Sequence, residues 1–538
     1  MQYNTLLFMR LIIKRTKVYL CLLFCLLSFA VHAQIDVQHY KYEIELNDKS
    51  DGITGKAFIT VKFMEDASQV QFDLASLEED KGMYAFQVKE GAQLLTSSHR
   101  KDIVYITLLK PAQAGHTRTF EISYMGVPKD GLIISKNKYG DRTFFADNWP
   151  NRARHWVPCK DDPLDKATVE FIVIAPAHYR VVSNGLLLEE KQVSNDSKRT
   201  HWKEEMPVPT KVMVIGAARF AVARVDSNYR IPVTAWVYPQ DSVKGFFDYA
   251  LADDILQFFE AYIGPYPYKK LANVQSTTMF GGMENANAIF YDEKSVTGTR
   301  KSEALVAHEI IHQWFGNTAT EKHFSHLWLS EGFATYLTHI YMEHRYGLDS
   351  FQKRLKQDRR EIIQFAQQNP KPVIDSTSEL MDLLNANSYQ KGGWFLHMLR
   401  QETGDSSFKK IIQAYYDKYK GNNAETRDFR QVAEMLTGKS LDVFFDQWLY
   451  QGGIAKLNGR WTAKTGNQVE INIQQQSKTV YKQMLEIVIR YKDGSSEVRQ
   501  LQLSKAAEAF LLNVKEKPVK IELDPNTKFL FEGTITQQ

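Results

Sequence analysis

The chain has 538 residues, 43% of them hydrophobic and 24% charged, a balance that excludes collagen-like, low-complexity and largely disordered classes. It is too long for one core, and its length predicts about two to four domains. The formal charge of +4 comes from 67 Lys+Arg against 63 Asp+Glu, and four of the basic residues lie within the first 33 positions. Without them the balance is even, so nucleic-acid binding has no electrostatic footing.

Arg10, Lys14, Arg15 and Lys17 precede an apolar run from Val18 to Val31, and Val31-His32-Ala33 has the small-x-small form of a cleavage site. This pattern predicts a secretory signal peptide over 1–33, cut after Ala33. The apolar run is shorter than the ~20 residues that span a bilayer. The mature protein is therefore expected to be exported, periplasmic or secreted, with no stable membrane anchor. Cys21 and Cys25 leave with that segment, and the remaining Cys159 can form no internal disulfide. It is expected to be a packed residue rather than a nucleophile.

From 34 to 226, strand signals dominate. Tyr40–Leu46, Ala57–Phe63 and Val169–Val173 alternate with period two, and Asp51-Gly52 and Ser194–Ser197 supply turns. The segment is expected to be an antiparallel β domain. After Arg230-Ile231-Pro232 the period changes: Val243–Ile263 reads as helix, and Leu271–Phe280 as a strand leading into Gly281-Gly282-Met283-Glu284-Asn285. Ser302–Tyr450 reads as largely helical, with amphipathic stretches at Ser350–Ala366, Ser388–Thr403 and Leu441–Tyr450. Gln451-Gly452-Gly453 marks a boundary, and over 453–538 the β period returns at Val469-Ile471-Ile473, Leu485-Ile487-Ile489 and Val519-Ile521-Leu523. A small C-terminal β sandwich is expected there. The fold class is multidomain α+β, divided at 34–226, 227–452 and 453–538.

The chemistry centres on His308-Glu309-Ile310-Ile311-His312. Two His four apart lie on one helix face about a turn from each other, the reach needed to hold one zinc ion. Glu331, in the first turn of a second helical pattern beginning at Trp328, is the candidate third ligand. Three protein ligands leave a zinc position open, as in catalytic sites. Glu309 lies beside the ligand line, where a carboxylate can take a proton from water. Phe315 and Thr318 stand where a metzincin carries Gly and a third His, which excludes that class. Glu284 follows two glycines that let a substrate backbone approach a strand edge. Tyr389 can offer its phenol to an oxyanion. His323 and His326 are held as surface or supporting residues, since three ligands are already supplied.

In Gly282-Met283-Glu284-Asn285, the His308–His312 pair with Glu331 after eighteen intervening residues, and Tyr389-x-Lys391-Gly392, the sequence resembles the aminopeptidase N-type zinc exopeptidases of the gluzincin clan, which includes leukotriene hydrolase. The resemblance implies a thermolysin-like, mostly helical catalytic domain behind the β domain. It also implies one zinc per chain at His308, His312 and Glu331, with Glu309 as general base and Tyr389 at the oxyanion. Gly281, Gly282, Met283, Glu284 and Asn285 would bind substrate, Glu284 taking the free N-terminal amine of a peptide.

Two features depart from the family. Asp147-Asn148-Trp149 stands where relatives place a Gln or Glu near the amine. The sequence also leaves no room for a large helical domain after the small β domain, so a more open cleft is expected. The competing readings are a thermolysin-like endopeptidase and a catalytically silent binding scaffold.

Overall fold

The computed structural model describes residues 34–227 and 230–538; the expected signal peptide lies outside the described residues. The alternating apolar positions of the first strand, Ile35–Glu45, bury Ile35 and Val37 and then Tyr40, Tyr42 and Ile44. A register shift between Val37 and His39 absorbs the change of parity, the role of a β-bulge. This strand lies at the centre of an eight-stranded sheet beside Lys166–Pro176. Those two strands run parallel, whereas their other neighbours, Ile53–Phe63 and Ser197–Pro209, run antiparallel. The expected antiparallel domain thus contains one parallel pair, made possible by the long crossover between the two strands. A four-stranded and a three-stranded sheet complete this unit.

A five-stranded sheet starts the second unit. Its first strand, Ala221–Arg224, lies before position 226 and pairs with Val233–Val237. The strands Val233–Val237, Leu271–Ser276 and Ala288–Asp292 run parallel to one another, and Gly282–Met283 closes the sheet as a short antiparallel edge strand. The longer helices that follow in chain order are α1 (Ser242–Tyr249), α2 (Leu251–Tyr262), α3 (Glu303–Ile311), α4 (Trp328–Tyr346), α5 (Leu348–Gln368), α6 (Gly392–Thr403), α7 (Asp405–Tyr419) and α8 (Thr426–Thr437). The helix expected over Val243–Ile263 is thus two, joined through Ala250. The one expected over Ser388–Thr403 opens instead with a π turn, Asn387–Lys391.

Around α4 the aromatic residues form one cluster. Trp328 packs on Phe395 at 5.1 Å, and Phe333 packs on Phe315 at 4.7 Å and on Phe429 at 5.1 Å. Edge and tilted contacts of this kind add about 0.5–1.5 kcal/mol each beyond area burial. The C-terminal segment folds as a four-stranded and a three-stranded sheet, with Val469, Ile471, Ile473, Leu485, Ile487 and Ile489 buried. No helix among the described residues is long and apolar enough to cross a membrane.

The first two units are joined by buried charge. Lys211 pairs with Glu321, their side chains 1% and 0% exposed. Nearby, the Lys166 ammonium donates to the carbonyls of Thr318 (2.7 Å) and Asn422 (2.8 Å). Burial pushes Lys166 down to about 7.

Candidate metal centre

Helix α3 is enclosed on most of its surface, with Val306, Ala307, Glu309, Ile310 and Ile311 all buried. Its last turn sets His308 and His312 side by side, ring centroids 4.7 Å apart. The α-helix ends at Ile311 with His312 as its C-cap. Gly316, at φ 112°, turns the chain back. A Cβ at Gly316 would stand 2.3 Å from Ser330 Oγ and 3.3 Å from His312 Nδ1, so only glycine allows this turn to close against the site.

Glu331 arrives from the first turn of α4, where the helix dipole favours a carboxylate. The fully buried rings of Trp328 and Phe333 fix that turn. Glu331 Oε2 lies 3.3 Å from His308 Nε2 and 3.3 Å from His312 Nε2. The three donor atoms fall within 4.8 Å of one another, the one such group found among the described residues. In a tetrahedral site with bonds of about 2.0–2.1 Å, neighbouring ligand atoms are roughly 3.3–3.4 Å apart, so the two Glu331–His spacings match a shared zinc ion. His312 Nδ1 lies 3.1 Å from the Phe315 carbonyl and 3.1 Å from Ser330 Oγ, a pairing that leaves Nε2 as the metal-facing lone pair.

Within the cluster, Glu331 and the two imidazoles shift one another's proton affinity. Burial works to raise Glu331, yet His312 and His308 hold it far below the usual carboxylate range. Burial works against a charged His312, yet Glu331 raises it to about 10. His308 is lowered, because burial outweighs its hydrogen bond to Glu331. Glu309 differs: burial drives it well above the normal value, opposed by His312 and helped by Glu284 and Glu331.

The edge strand Gly282–Met283 lies against this group. A Cβ on Gly282 would sit 2.4 Å from Glu309 Oε1, so the glycine makes room for the carboxylate itself. Glu284 is 5% exposed and its backbone carbonyl is pinned by Gln313 Nε2 (2.9 Å) and Asn317 Nδ2 (2.7 Å). Its buried Oε1 has no partner. Asn285 is fully buried behind it and is not part of the cleft lining. Tyr389 rides on the π turn, its ring stacked on His308 at 6.0 Å and 11°. Burial, with Glu331, Glu284 and Glu309 nearby, pushes its phenol well up, so the hydroxyl stays a donor.

These groups line one cleft of about 530 Å³, which also takes in Gly281, Gly282, Met283 and Leu305. Asp147 and Asn148 do not reach it. Asp147 is held by Arg152 (2.5 Å) and Thr278 Oγ1 (2.7 Å), and Asn148 by the carbonyls of Thr210 and Met213 and by Trp156 Nε1. The first unit contributes Trp149 instead, edge-on to Phe280 at 6.2 Å and to Phe324 at 5.8 Å. His323 caps a 3-10 turn through Ser325, and His326 meets Thr426 at 2.9 Å; neither joins the cluster. The residues of α5 that line the far wall carry no motif, and sequence alone did not single them out.

Comparison with known proteins agrees with this geometry. The peptidase M1 N-terminal domain model matches residues 36–212 and the peptidase family M1 domain model matches residues 247–448, together more than half of the chain. The chain is 28% identical over 332 residues to glutamyl aminopeptidase of Bos taurus, covering 58% of this chain and 34% of that protein. It is 25% identical over 446 residues to aminopeptidase M1-A of Oryza sativa subsp. japonica, covering 78% and 51%. The chain thus spans about a third of the length of the first relative and about half of the second. Its fold is similar to that of a variant M1 zinc metallopeptidase from Deinococcus radiodurans, with TM-score 0.66 and 21% identity over 77% of this chain and 94% of that one.

Proposed function

The chain belongs to peptidase family M1, and from that premise we propose that it is an exported, zinc-dependent aminopeptidase that removes the first residue of peptides with a free amine. His308, His312 and Glu331 would hold one zinc ion per chain. When bound, zinc polarises the scissile carbonyl and makes a coordinated water acidic near neutral pH. Glu309, whose burial raises its proton affinity, takes the proton from the attacking water and delivers it to the leaving nitrogen. The Tyr389 hydroxyl donates to the oxygen that gains charge during attack. Glu284 accepts from the substrate ammonium and sets the register, one residue before the bond that breaks.

The observation that carries this reading is the buried, unpartnered carboxylate oxygen of Glu284 in the same cleft as the metal cluster. A free ammonium satisfies it, whereas a continuing chain leaves it unpaired, which argues against an endopeptidase. A silent scaffold would lack a ligand, the base or the tyrosine, and all of these are present. Selectivity for a glutamyl residue is not carried over from the bovine relative. The test is mass spectrometry of one peptide in free and N-acetylated forms. Acetylation is expected to suppress cleavage at least about tenfold, the lower end of what a charge-assisted hydrogen bond supplies. Internal cleavage of the acetylated peptide at a comparable rate would establish the endopeptidase instead.

A further inference from the structure

The cleft is longer than one scissile bond requires. Beyond Glu331 it continues along α4 to Thr338 and His339, and its far wall is a face of α5 bearing Arg354, Gln357, Asp358 and Glu361. The two carboxylates of that wall are already engaged. Asp358 Oδ2 lies 2.7 Å from His339 Nε2, and Glu361 accepts from Gln357 Nε2 at 3.0 Å. Arg354, half-buried, is the one Arg or Lys lining the cleft. Among the described residues it has no ion pair or hydrogen bond. In the lining of the same cleft, Thr338 Oγ1 and His339 Nδ1 are buried without partners, in residues 4% and 6% exposed. A buried polar atom left unpaired costs about 1–3 kcal/mol, a cost that a hydrogen-bonding ligand removes.

The geometry points to a site for the free C-terminal carboxylate of a short peptide, with Arg354 as its cationic partner and Thr338 as a hydroxyl donor. The inference rests on the aminopeptidase reading, which places the amine at Glu284 and sends the leaving portion the other way. Glu331 and His339 are eight residues apart on α4, roughly 12 Å at 1.5 Å per residue. An extended peptide advances about 3.3 Å per residue, so three or four residues beyond the scissile bond reach this wall. Substrates of about four or five residues would be held at both ends, and longer ones would have no carboxylate at Arg354.

The experiment compares a tetrapeptide and a decapeptide of shared N-terminal sequence, each as free acid and as C-terminal amide. For the tetrapeptide, kcat/KM is expected to favour the acid about tenfold or more, with a ratio near one for the decapeptide. Arg354→Gln is expected to bring the tetrapeptide ratio towards one, and Arg354→Lys to keep part of it. Calorimetric binding of the same tetrapeptides to the zinc-loaded Glu309→Gln protein provides a readout independent of turnover. Equal binding of acid and amide there overturns the proposal. A preference that survives unchanged in Arg354→Gln also overturns it, by placing the carboxylate elsewhere. Preferential binding of the acid, with neither peptide trimmed by the wild-type enzyme, would uphold this site and refute the aminopeptidase reading.

Discussion

Glu309 and Glu331 are both buried in one site, yet their surroundings drive them apart. Two imidazoles hold Glu331 far below the usual carboxylate range, whereas burial pushes Glu309 well above it. Divergent environments of this kind separate a ligand from a proton carrier. Glu309→Gln is therefore expected to retain zinc and fold while kcat falls roughly 10²–10⁴-fold, as read by metal analysis beside steady-state kinetics. Loss of zinc in that variant would make Glu309 part of the metal shell. Glu331→Ala, by contrast, is expected to lose the metal, and full zinc content after dialysis would remove it from the ligand set. Tyr389→Phe deletes one hydroxyl and is expected to lower kcat by about 10²–10³, equivalent to about 3 kcal/mol, with little change in KM. A change confined to KM would leave the tyrosine only a positioning role. The His308, His312 and Glu331 pattern was legible because ligands that share one metal impose a spacing, whereas Tyr389 gained its role only with the family resemblance. Thr338, His339 and Arg354 were not legible, because a pocket wall needs no fixed interval in the chain.

The helices that carry these groups are placed by contacts of different sequence range. The apolar steps of α3 and the Trp328–Phe333 pair of α4 could be read from periodicity, since each buries a regular face. The close approach of Gly316 to Ser330 could not, because only the folded chain brings the two together. Gly316→Ala forces a side chain onto a positive φ and into Ser330, displacing the partner of His312 Nδ1. Zinc affinity is expected to fall by about 10–100-fold, the usual effect of losing an outer-shell contact, in competition titration with a chromogenic chelator. Unchanged affinity would show that the Phe315 carbonyl alone orients the ring. The π turn at Asn387–Lys391 escaped the periodic reading for a related reason. One extra residue per turn changes the face presented by Tyr389 without altering the local apolar pattern.

At the scale of the whole molecule, strand-rich ends and a helical middle were visible in composition and period. The seam between the first two units was not, because its contacts join residues far apart in sequence. Strand Ala221–Arg224 follows the first unit in the chain but pairs with the second sheet, so a boundary drawn from local pattern falls a few residues late. The buried Lys211–Glu321 pair crosses the same seam. Lys211→Met strands a carboxylate in the interior and is expected to cost about 3–5 kcal/mol, whereas adding Glu321→Leu is expected to restore most of that loss, both measured by chemical denaturation. Additive losses in the double variant would mean that the two side chains do not act as a pair. The seam also determines how the protein melts. Neither side can keep its half of the buried pair alone, so heating is expected to give one endotherm spanning both units, with its calorimetric and van't Hoff enthalpies in agreement.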